Sequence, residues 1–528
     1  MYVQDVNTGN SRRSREFERP QDLGRKSLLL FATTWGTTVL GMLISLLVAR
    51  RLGPAAIGSI GFSLGLAGMA MAALLPGFGQ AHLKRLAEGQ DPGRCIGTMG
   101  TIQLAMAALL LMALGGIAAT RGLLETADLT AVFLLMLTSQ LAGNFADVAL
   151  RVFVAREWIV PHALILLGGR VVRLVTTVAV LVWIPRVTWV AAAFAVEGAL
   201  NCAVAMALLM GPYGIRVRPP TRESLAGYWR YARPFLVTTP LALFQDSVDR
   251  YVVGRWAGLA MAGYYHVARA LWEALSSVLA PPATFIFTRL ASLYARRTLA
   301  GDREARDFFR DALDKVFFMT IPLAFAFWAF AEPLITLLYG ASFAPAALTL
   351  RILVLAAVAM TVVNPYTLVM YALEQADRFV PVNVVRIVLY LGLLWLLVPP
   401  RPELEAVVGQ WSGDRGAALA RLVLVVFPAW IYWRWTREEV GIAFQPWTWV
   451  YLSGFALMVL GDHALLRLAE PTRGGLTLTV VAALAALGVY AALLRGIHPR
   501  ASSNLAYAWA LLSPRRFRAF LGQGLRGA

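Results

Sequence analysis

Long apolar runs dominate the sequence and are separated by short polar links rich in arginine. A helix needs about 20 apolar residues to cross a hydrocarbon core of about 30 Å. The runs that reach this length lie at about 27–49, 55–78, 95–118, 129–150, 159–184, 187–210, 234–256, 258–280, 316–339, 351–373, 379–398, 416–435, 447–468 and 474–494. The pattern therefore predicts an all-α polytopic membrane protein with about fourteen transmembrane helices.

The composition agrees with this prediction. The chain has 528 residues, of which 59% are hydrophobic and 15% are charged. Soluble domains are nearer about 45–50% apolar and about 25% charged. This difference excludes an ordinary soluble enzyme, a disordered chain and a fibrous repeat. The two cysteines, Cys95 and Cys202, lie in apolar runs, so neither a disulfide framework nor redox chemistry is indicated.

The net charge of +18 is carried mostly by arginines in the links between spans. A nucleic-acid-binding protein would cluster its positive charge on one soluble face, so this distribution argues against nucleic-acid binding. Placing the N-terminus in the cytoplasm assigns roughly 32 Lys and Arg to cytoplasmic segments and about 9 to the other side, as the positive-inside rule requires. The first apolar run is too long for a cleaved signal peptide. We therefore expect an uncleaved first span and both termini in the cytoplasm.

An internal repeat divides the spans into two groups. Gly58 matches Gly263 and Pro76 matches Pro281 at a shift of 205 residues. Further matches at a shift of 220 pair Asn144, Glu157, Val160 and Pro161 with Asn364, Asp377, Val380 and Pro381. The shift covers six helices, an even number, so both halves have the same orientation, as in transporters built from parallel repeats.

The expected architecture is two pseudo-symmetric six-helix lobes followed by two C-terminal helices. The predicted segments are a cytoplasmic tail (1–26), an N-lobe with spans 1–6 (27–210), a cytoplasmic linker (211–233), a C-lobe with spans 7–12 (234–435), accessory spans 13 and 14 (436–494) and a basic cytoplasmic tail (495–528). The segments outside the membrane reach only about 35 residues, below the usual size of a folded domain.

Three stretches carry a family resemblance. The link Ala49 to Gly58, with Arg51-Leu52-Gly53-Pro54 inside it, resembles the R-x-L-G-P-x-x-x-G link of bacterial polysaccharide and O-antigen flippases. These belong to the multidrug/oligosaccharidyl-lipid/polysaccharide exporter superfamily. The stretch Asp246 to Leu271 is similar to that family's seventh and eighth spans, and Glu332 to Gly340 fits the end of the ninth. The resemblance covers about residues 25–400.

The resemblance implies a function for the chain. It implies a flippase of the bacterial plasma (inner) membrane that moves a polyprenyl-diphosphate-linked oligosaccharide from the cytoplasmic to the outer leaflet by alternating access. The oligosaccharide would serve the biosynthesis of O-antigen, lipopolysaccharide or exopolysaccharide. The implied partners are this lipid, membrane lipids and the polysaccharide polymerase or ligase machinery, with no nucleic acid. No cofactor or metal is expected. Such a lipid cannot cross hydrocarbon unaided, because its headgroup would lose its water.

Charged residues inside spans are costly and are therefore functional candidates. Span 7 carries Asp246, Asp249 and Arg250, and span 8 carries Arg269 and Glu273, each set on one helical face. Arg250 and Arg269 are candidate substrate contacts, and the three acids are candidates for coupling or charge tuning. The alternative is structural: Asp246 would form an ion pair with Arg250, and Arg269 would form one with Glu273, so that the two charges within each pair cancel.

Span 5 supplies a second candidate patch with Arg170 and Arg173. Guanidinium groups form paired hydrogen bonds to phosphate oxygens and stay charged, so these arginines are candidate substrate contacts as well. The alternative is an ion pair with Glu197 of span 6, which would leave one arginine unpaired. His266 in span 8 is interpreted as a packing residue.

Two other functions compete with this interpretation. A cation-coupled drug exporter of the same superfamily typically has an acidic residue in its first span, and Ser27 to Ala49 contains none. An integral-membrane glycosyltransferase or polymerase usually places its catalytic residues on sizeable external loops, and the predicted external links are short. The sequence has no HExxH, Walker A or CxxC pattern, so we expect no enzymatic activity.

Overall fold

The computed structural model describes residues 20–72, 77–121, 124–233, 235–294, 299–373, 375, 378–400, 409–442, 446–468 and 475–497. Within these ranges the chain forms seventeen α-helices and no strand. Most of the two predicted cytoplasmic tails lies outside the described residues. The expected all-α fold class is confirmed.

The helices follow one another through short connections. In chain order they are α1 (Pro20–Ala72), α2 (Phe78–Ala87), α3 (Pro92–Arg121), α4 (Ala127–Ala155), α5 (Ile159–Trp183), α6 (Val187–Met210), α7 (Arg222–Ala232), α8 (Phe235–Val252), α9 (Leu259–Tyr294), α10 (Leu299–Ala329), α11 (Ala331–Tyr339), α12 (Ala346–Ala372), α13 (Phe379–Leu397), α14 (Gly413–Val426), α15 (Ala429–Val440), α16 (Pro446–Leu468) and α17 (Gly475–Ile497). A π-helical turn, Val253–Ala257, extends α8.

Helix α1 contains two spans. Its apolar part, Ala32–Ala72, has 41 residues, and a straight helix of that length would measure about 60 Å, twice the hydrocarbon thickness. Gly53 interrupts it with φ 80° and ψ −175°, so two legs of about 20 residues meet there. In the described part of the chain, nine helical segments are long and apolar enough to span a membrane, with α1 counted once and the consecutive helices α14 and α15 counted together. The protein is a multi-pass membrane protein.

The backbone repeats between the two lobes. Gly258, which lies 205 residues after Gly53, separates α8 and its π turn from α9 with φ 96° and ψ 163°. This region of φ and ψ is essentially restricted to glycine. The packing repeats as well, because α4 packs on α6 in the N-lobe and α12 packs on α14 in the C-lobe. We call the end of the bundle that holds these two glycines the link end.

The connection between spans 8 and 9 differs from the sequence prediction. A loop is expected at about 281–315, but α9 continues to Tyr294 and α10 begins at Leu299. The reason is an apolar stripe among the polar residues, since Ala305, Phe309 and Leu313 recur at helical spacing and are buried. The two helices therefore extend beyond the apolar spans.

At the opposite end, α2 and α7 lie outside the apolar spans and pack against each other. His82 of α2 is completely buried, with Nδ1 2.9 Å from the Tyr228 hydroxyl and Nε2 3.0 Å from the Val148 carbonyl oxygen. The chain preceding α7 crosses the start of α3, where the Arg218 amide donates to the Gly93 carbonyl at 3.0 Å. The predicted linker therefore packs on the N-lobe. We call this end the α2–α7 end.

The buried His82 makes the α2–α7 end sensitive to acid. Burial lowers the pKa of His82 from 6.5 to about 4. Between these values the unfolded chain binds a proton that the folded chain excludes, so the stability present above pH 6.5 falls by about 1.4 kcal/mol per pH unit as the pH drops. We expect the thermal unfolding midpoint to fall less steeply between pH 6.5 and 4 in His82→Gln than in the wild type. Parallel curves would contradict this assignment.

Candidate functional site

The charged residues predicted in spans 7 and 8 come together between α8 and α9. Arg269 is at their centre: its Nε lies 2.7 Å from Glu273 Oε1, its Nη1 3.0 Å from Asp249 Oδ1 and its Nη2 2.5 Å from Asp246 Oδ1. Arg250 Nη2 lies 3.1 Å from Glu273 Oε1. The Arg269–Glu273 pair considered from the sequence is present, whereas Arg250 pairs with Glu273 and not with Asp246. We call these five residues and Arg421 the C-lobe cluster.

The sequence interpretation missed Arg421 of α14. Asp249 is completely buried, and its Oδ2 accepts hydrogen bonds from Arg421 Nε at 3.0 Å and Nη2 at 2.5 Å. The hydroxyls of Tyr265 and Tyr390 also donate to this oxygen, at 2.6 and 2.8 Å. Arg421 lies inside the predicted span 416–435, so the rule that marks intramembrane charges as candidates would have found it. Nothing in the sequence indicates Tyr390.

The C-lobe cluster has a deep part and an exposed part. Its three arginines balance its three carboxylates, so its formal charge is zero. The Arg269 side chain is 2% exposed and that of Asp249 0%, whereas the side chains of Asp246 and Glu273 are 59% and 48% exposed. Arg250 is 20% exposed, and within the described part of the chain its Nε has no hydrogen-bond partner. A ligand in this conformation can reach Arg250, but Arg269 is enclosed by its own counter-ions.

One face of α8 is open beside this cluster. Ala242, Leu243 and Asp246, spaced as i, i+1 and i+4, are exposed and form a stripe. On one side of the stripe Asp249 is buried in the C-lobe, and on the other Ser247 contacts the second leg of α1. The stripe therefore lies between the two lobes, in the half of α8 that is away from the link end.

The second predicted patch lies between α5 and α6. Glu197 of α6 pairs with both arginines: Oε2 lies 2.9 Å from Arg173 Nη1 and Oε1 lies 3.4 Å from Arg170 Nε. Arg173 is buried, and its guanidinium carbon lies 4.1 Å from the centroid of the Phe194 ring. We call Arg170 and Arg173 the N-lobe pair. Among the residues that the structure describes, these two arginines share one carboxylate, so the pair keeps one uncompensated positive charge.

Arg170 faces the interior of the bundle. Its side chain is 32% exposed, although it shares its helical face with Ala163 seven residues earlier and Arg173 three residues later, which are both buried. The exposed apolar face of α5 is marked by Val171 and Val175. Because Arg170 does not lie on that face, its exposed surface opens towards the inside of the protein.

The two patches lie at the same depth. A Cβ at Gly41 on the first leg of α1 would be 3.8 Å from Arg173 Nη2, and a Cβ at Gly65 on the second leg would be 2.8 Å from Arg250 Cβ. Gly41 precedes the Gly53 break by twelve residues and Gly65 follows it by twelve. At 1.5 Å per residue, both are about 18 Å from the link end along their helices. The two legs of α1 thus pack against both patches in the middle of the membrane.

A separate cavity of about 710 Å³ is lined by apolar side chains. It lies between the second leg of α1, α3, α4 and α8, and Leu66, Leu114, Phe133 and Phe244 contribute to its wall. The predicted substrate-binding residues are absent from its lining. This cavity suits apolar chains, and the charged patches are distinct from it.

Comparison with known families supports the resemblance drawn from the sequence. The model of a family described as "Polysaccharide biosynthesis protein" matches residues 161–348. This segment runs from the start of α5 into α12, so it contains both the N-lobe pair and most of the C-lobe cluster. No curated protein sequence matches the chain.

Solved structures with the same fold are transporters. The lipid II flippase MurJ, in an inward closed conformation, superposes with a TM-score of 0.67 at 13% identity, covering 89% of this chain and 99% of that chain. An inward-facing multidrug resistance MATE transporter of the MOP superfamily gives 0.58 at 15% identity, covering 77% and 94%. A MOP superfamily transporter from Pyrococcus furiosus gives 0.53 at 15% identity, covering 80% and 96%. At these identities the likeness shows the fold, which is that of MOP superfamily transporters.

Proposed function

We propose that this protein is a flippase for a polyprenyl-diphosphate-linked oligosaccharide and moves it from the cytoplasmic to the outer leaflet by alternating access of its two lobes. The fold shared with a lipid II flippase and the match to a polysaccharide-biosynthesis family support a glycolipid cargo. We further propose that the protein lies in the bacterial inner membrane with both termini in the cytoplasm. In this arrangement it supplies lipid-linked glycan to a polymerase or ligase on the outer side of the membrane. The link end then faces outwards.

The uncompensated positive charge of the N-lobe pair is the observation that carries this proposal. Burying a charge at mid-membrane depth is costly unless it is paired. Arg173 pairs closely with Glu197. Arg170 Nε lies 3.4 Å from Glu197 Oε1, and the Arg170 side chain is partly exposed to the interior. A diphosphate would supply the missing negative charge through paired, charge-assisted hydrogen bonds. We assign the diphosphate to Arg170 and Arg173.

The C-lobe cluster has a different proposed role. Its exposed members are the carboxylates of Asp246 and Glu273 together with Arg250, so its open surface offers acceptors and a donor, while the cluster as a whole is neutral. Such a surface suits the hydroxyl groups of a sugar. Arg269 and Arg421 then position these groups and do not touch the cargo. Asp249 accepts bonds from two arginines and two tyrosines, so we assign it to charge tuning and not to cation coupling.

Reconstitution in sealed vesicles tests this function. We expect the purified protein to accelerate the transbilayer movement of a fluorescent oligosaccharide linked to a prenyl diphosphate, and to leave the same oligosaccharide linked to an uncharged prenyl chain unmoved. Transfer of the sugar to another lipid would identify an enzyme. Equal movement of both lipids would remove the role proposed for the diphosphate.

Drug export is the second candidate, because the fold also matches multidrug MATE transporters. The charges of the two patches argue against a cationic drug. Together they contain five arginines and four carboxylates, which leaves a net charge of +1. Like charges repel in a cavity with low-dielectric walls. We therefore expect expression of the protein to leave cellular resistance to cationic drugs unchanged.

A further inference from the structure

We propose that Arg386 of α13 selects glycans that carry an acidic sugar, and that the carboxylate of this sugar binds to its guanidinium group. This proposal deepens the proposed function and rests on it, because the diphosphate is assigned to the N-lobe pair and the sugars to the C-lobe. It adds a second negative charge, on the glycan itself, to the features of the cargo that the protein recognises.

Arg386 lies on the inward face of a membrane-spanning helix. Helix α13 is long and apolar enough to span a membrane. Phe379, seven residues before Arg386, and Tyr390, four residues after it, are both buried, and the helical period places all three on one face. The exposed apolar face of α13 is marked by Val384 and Val388. Arg386 therefore points into the C-lobe and not into the lipid.

Arg386 is one helical turn from the C-lobe cluster. The Tyr390 hydroxyl donates to Asp249 Oδ2 at 2.8 Å, and four residues of helix span about 6 Å. Helix α11 is held at the link end by Arg50, whose Nε donates to the Leu338 carbonyl at 2.7 Å. Helix α12 runs from there to the α2–α7 end, where α13 begins. Arg386 therefore lies beside the path proposed for the sugars, on the side of the α2–α7 end.

Arg386 has no counter-ion among the residues that the structure describes. Its Nη1 donates to Asn383 Oδ1 at 3.0 Å, and its buried Nε has no hydrogen-bond partner there. The hydroxyls of Tyr371 and Tyr432 are within electrostatic range of its charge. A guanidinium group has five N–H donors and no acceptor, and a charge inside a membrane is costly unless it is paired. Arg386 thus keeps a positive charge and a donor available to an anion.

The N-lobe contains the same surface with its counter-ion in place. The repeat of 220 residues relates Asn144, Asp147 and Arg151 of α4 to Asn364, Thr367 and Tyr371 of α12. In the N-lobe, Arg151 Nε lies 2.5 Å from Asp147 Oδ2. In the C-lobe a threonine replaces this aspartate, and the nearby arginine is Arg386 of α13. The surface is therefore neutral in the N-lobe and positively charged in the C-lobe.

This surface of α12 is open and polar. Asn364 and Tyr371 are exposed and Thr367 is half-buried between them, and the spacing of i, i+3 and i+7 places the three on one face. Helix α12 is otherwise strongly apolar, and uncompensated polar groups are costly in hydrocarbon, so this face borders the hydrated interior. It can accept and donate hydrogen bonds to the hydroxyls of a sugar whose carboxylate pairs with Arg386.

The diphosphate and the acidic sugar would occupy different lobes. The repeat places Arg386 at the position of Leu166 in α5, one helical turn from Arg170. The two arginines with uncompensated charge therefore lie on equivalent helices of opposite lobes. A diphosphate held by Arg170 leaves Arg386 without an anion, and a carboxylate on the glycan supplies one through paired, charge-assisted hydrogen bonds.

The binding of two matched glycolipids tests this proposal. Both are short-chain prenyl diphosphates that carry a disaccharide, and the outer sugar is glucuronic acid in one and glucose in the other. Their Kd values are measured by calorimetry in detergent. The wild type should bind the acidic glycolipid about 10- to 150-fold more tightly, the range for hydrogen bonds to a charged group. Arg386→Gln should bind both with the Kd that the wild type has for the neutral one. Equal affinities in the wild type, or an undiminished preference in Arg386→Gln, would overturn the proposal.

Three further variants control this measurement. Arg437→Gln removes an exposed arginine from α15, where it lies 5.6 Å from the centroid of the Trp433 ring, and should keep the preference. Arg386→Lys keeps the charge without the planar fork and should keep part of it. Thr367→Asp copies the N-lobe arrangement and gives Arg386 a counter-ion, so it should abolish the preference although the arginine remains. A wild-type preference in Thr367→Asp, or its loss in Arg437→Gln, would contradict recognition by Arg386.

Flipping in sealed vesicles tests the proposed function separately. Arg386→Gln should flip the neutral glycolipid at the wild-type rate, because the contact with Arg386 needs the carboxylate. A protein that flips neither glycolipid but binds the acidic one through Arg386 would overturn the flippase and support this recognition. A protein that flips both glycolipids alike and binds them with equal Kd would support the flippase and overturn the recognition.

Discussion

Replacement of Arg269 by methionine is expected to destabilise the protein by about 3–5 kcal/mol, the usual cost of removing one partner from a buried ion pair. Arg269 is 2% exposed and bonds to three carboxylates. Without it the C-lobe cluster keeps two arginines and three carboxylates, and Asp249 remains buried beside an apolar side chain. The measurement is the thermal unfolding midpoint of purified protein in detergent, together with the amount of protein in membranes.

Two variants control this experiment. Arg269→Met combined with Asp249→Asn restores a neutral cluster and should recover part of the lost stability. Arg434→Met removes an arginine from an exposed pair with Glu438, which is worth about 0.2–1 kcal/mol, and should leave the midpoint nearly unchanged. An Arg269→Met protein as stable as the wild type would show that the cluster does not hold α8 and α9 together.

Replacement of Arg170 by glutamine is expected to slow flipping of a prenyl-diphosphate-linked oligosaccharide while the fold is retained. Hydrogen bonds to charged groups contribute about 1.5–3 kcal/mol, so the rate at subsaturating lipid should fall about 10- to 150-fold. Stability should change little, because Arg173 keeps its 2.9 Å contact with Glu197. The initial flipping rate in sealed vesicles measures the effect.

The controls for Arg170 separate charge from position. Arg170→Lys keeps the charge but loses the paired donors, so its rate should lie between those of the wild type and Arg170→Gln. Arg186→Gln removes an exposed arginine from the connection between α5 and α6 and should leave the rate unchanged. Wild-type rates in Arg170→Gln would exclude Arg170 from the path of the cargo.

The sequence predicts the architecture well because hydrophobic run length is a local property. Each predicted span coincides with a helix, a helical leg or a helix pair, and the repeat reappears as matching backbone angles at Gly53 and Gly258. Helical spacing also identified the faces that carry Asp246, Asp249 and Arg250. These predictions require only the period of a helix and the thickness of a membrane.

The partners of the charged residues could not be predicted in the same way. Arg421 reaches Asp249 from 172 positions along the chain, and spacing within one helix carries no information about such a contact. For the same reason the structural alternative drawn from the sequence paired Arg250 with Asp246, whereas the structure pairs it with Glu273 of the next helix. The structure assigns Arg269 to the buried part of the C-lobe cluster and Arg170 to the open interior, a distinction that depends on how the helices pack.

Binding of a short-chain prenyl diphosphate tests the central claim, the uncompensated positive charge at Arg170, most directly. Its Kd is measured by calorimetry in detergent for the wild type and for Arg170→Gln, beside the Kd of the corresponding prenyl alcohol. We predict that the wild type binds the diphosphate at least about tenfold more tightly than the alcohol, and that Arg170→Gln loses this preference. Equal affinities of the wild type for both ligands would contradict the account.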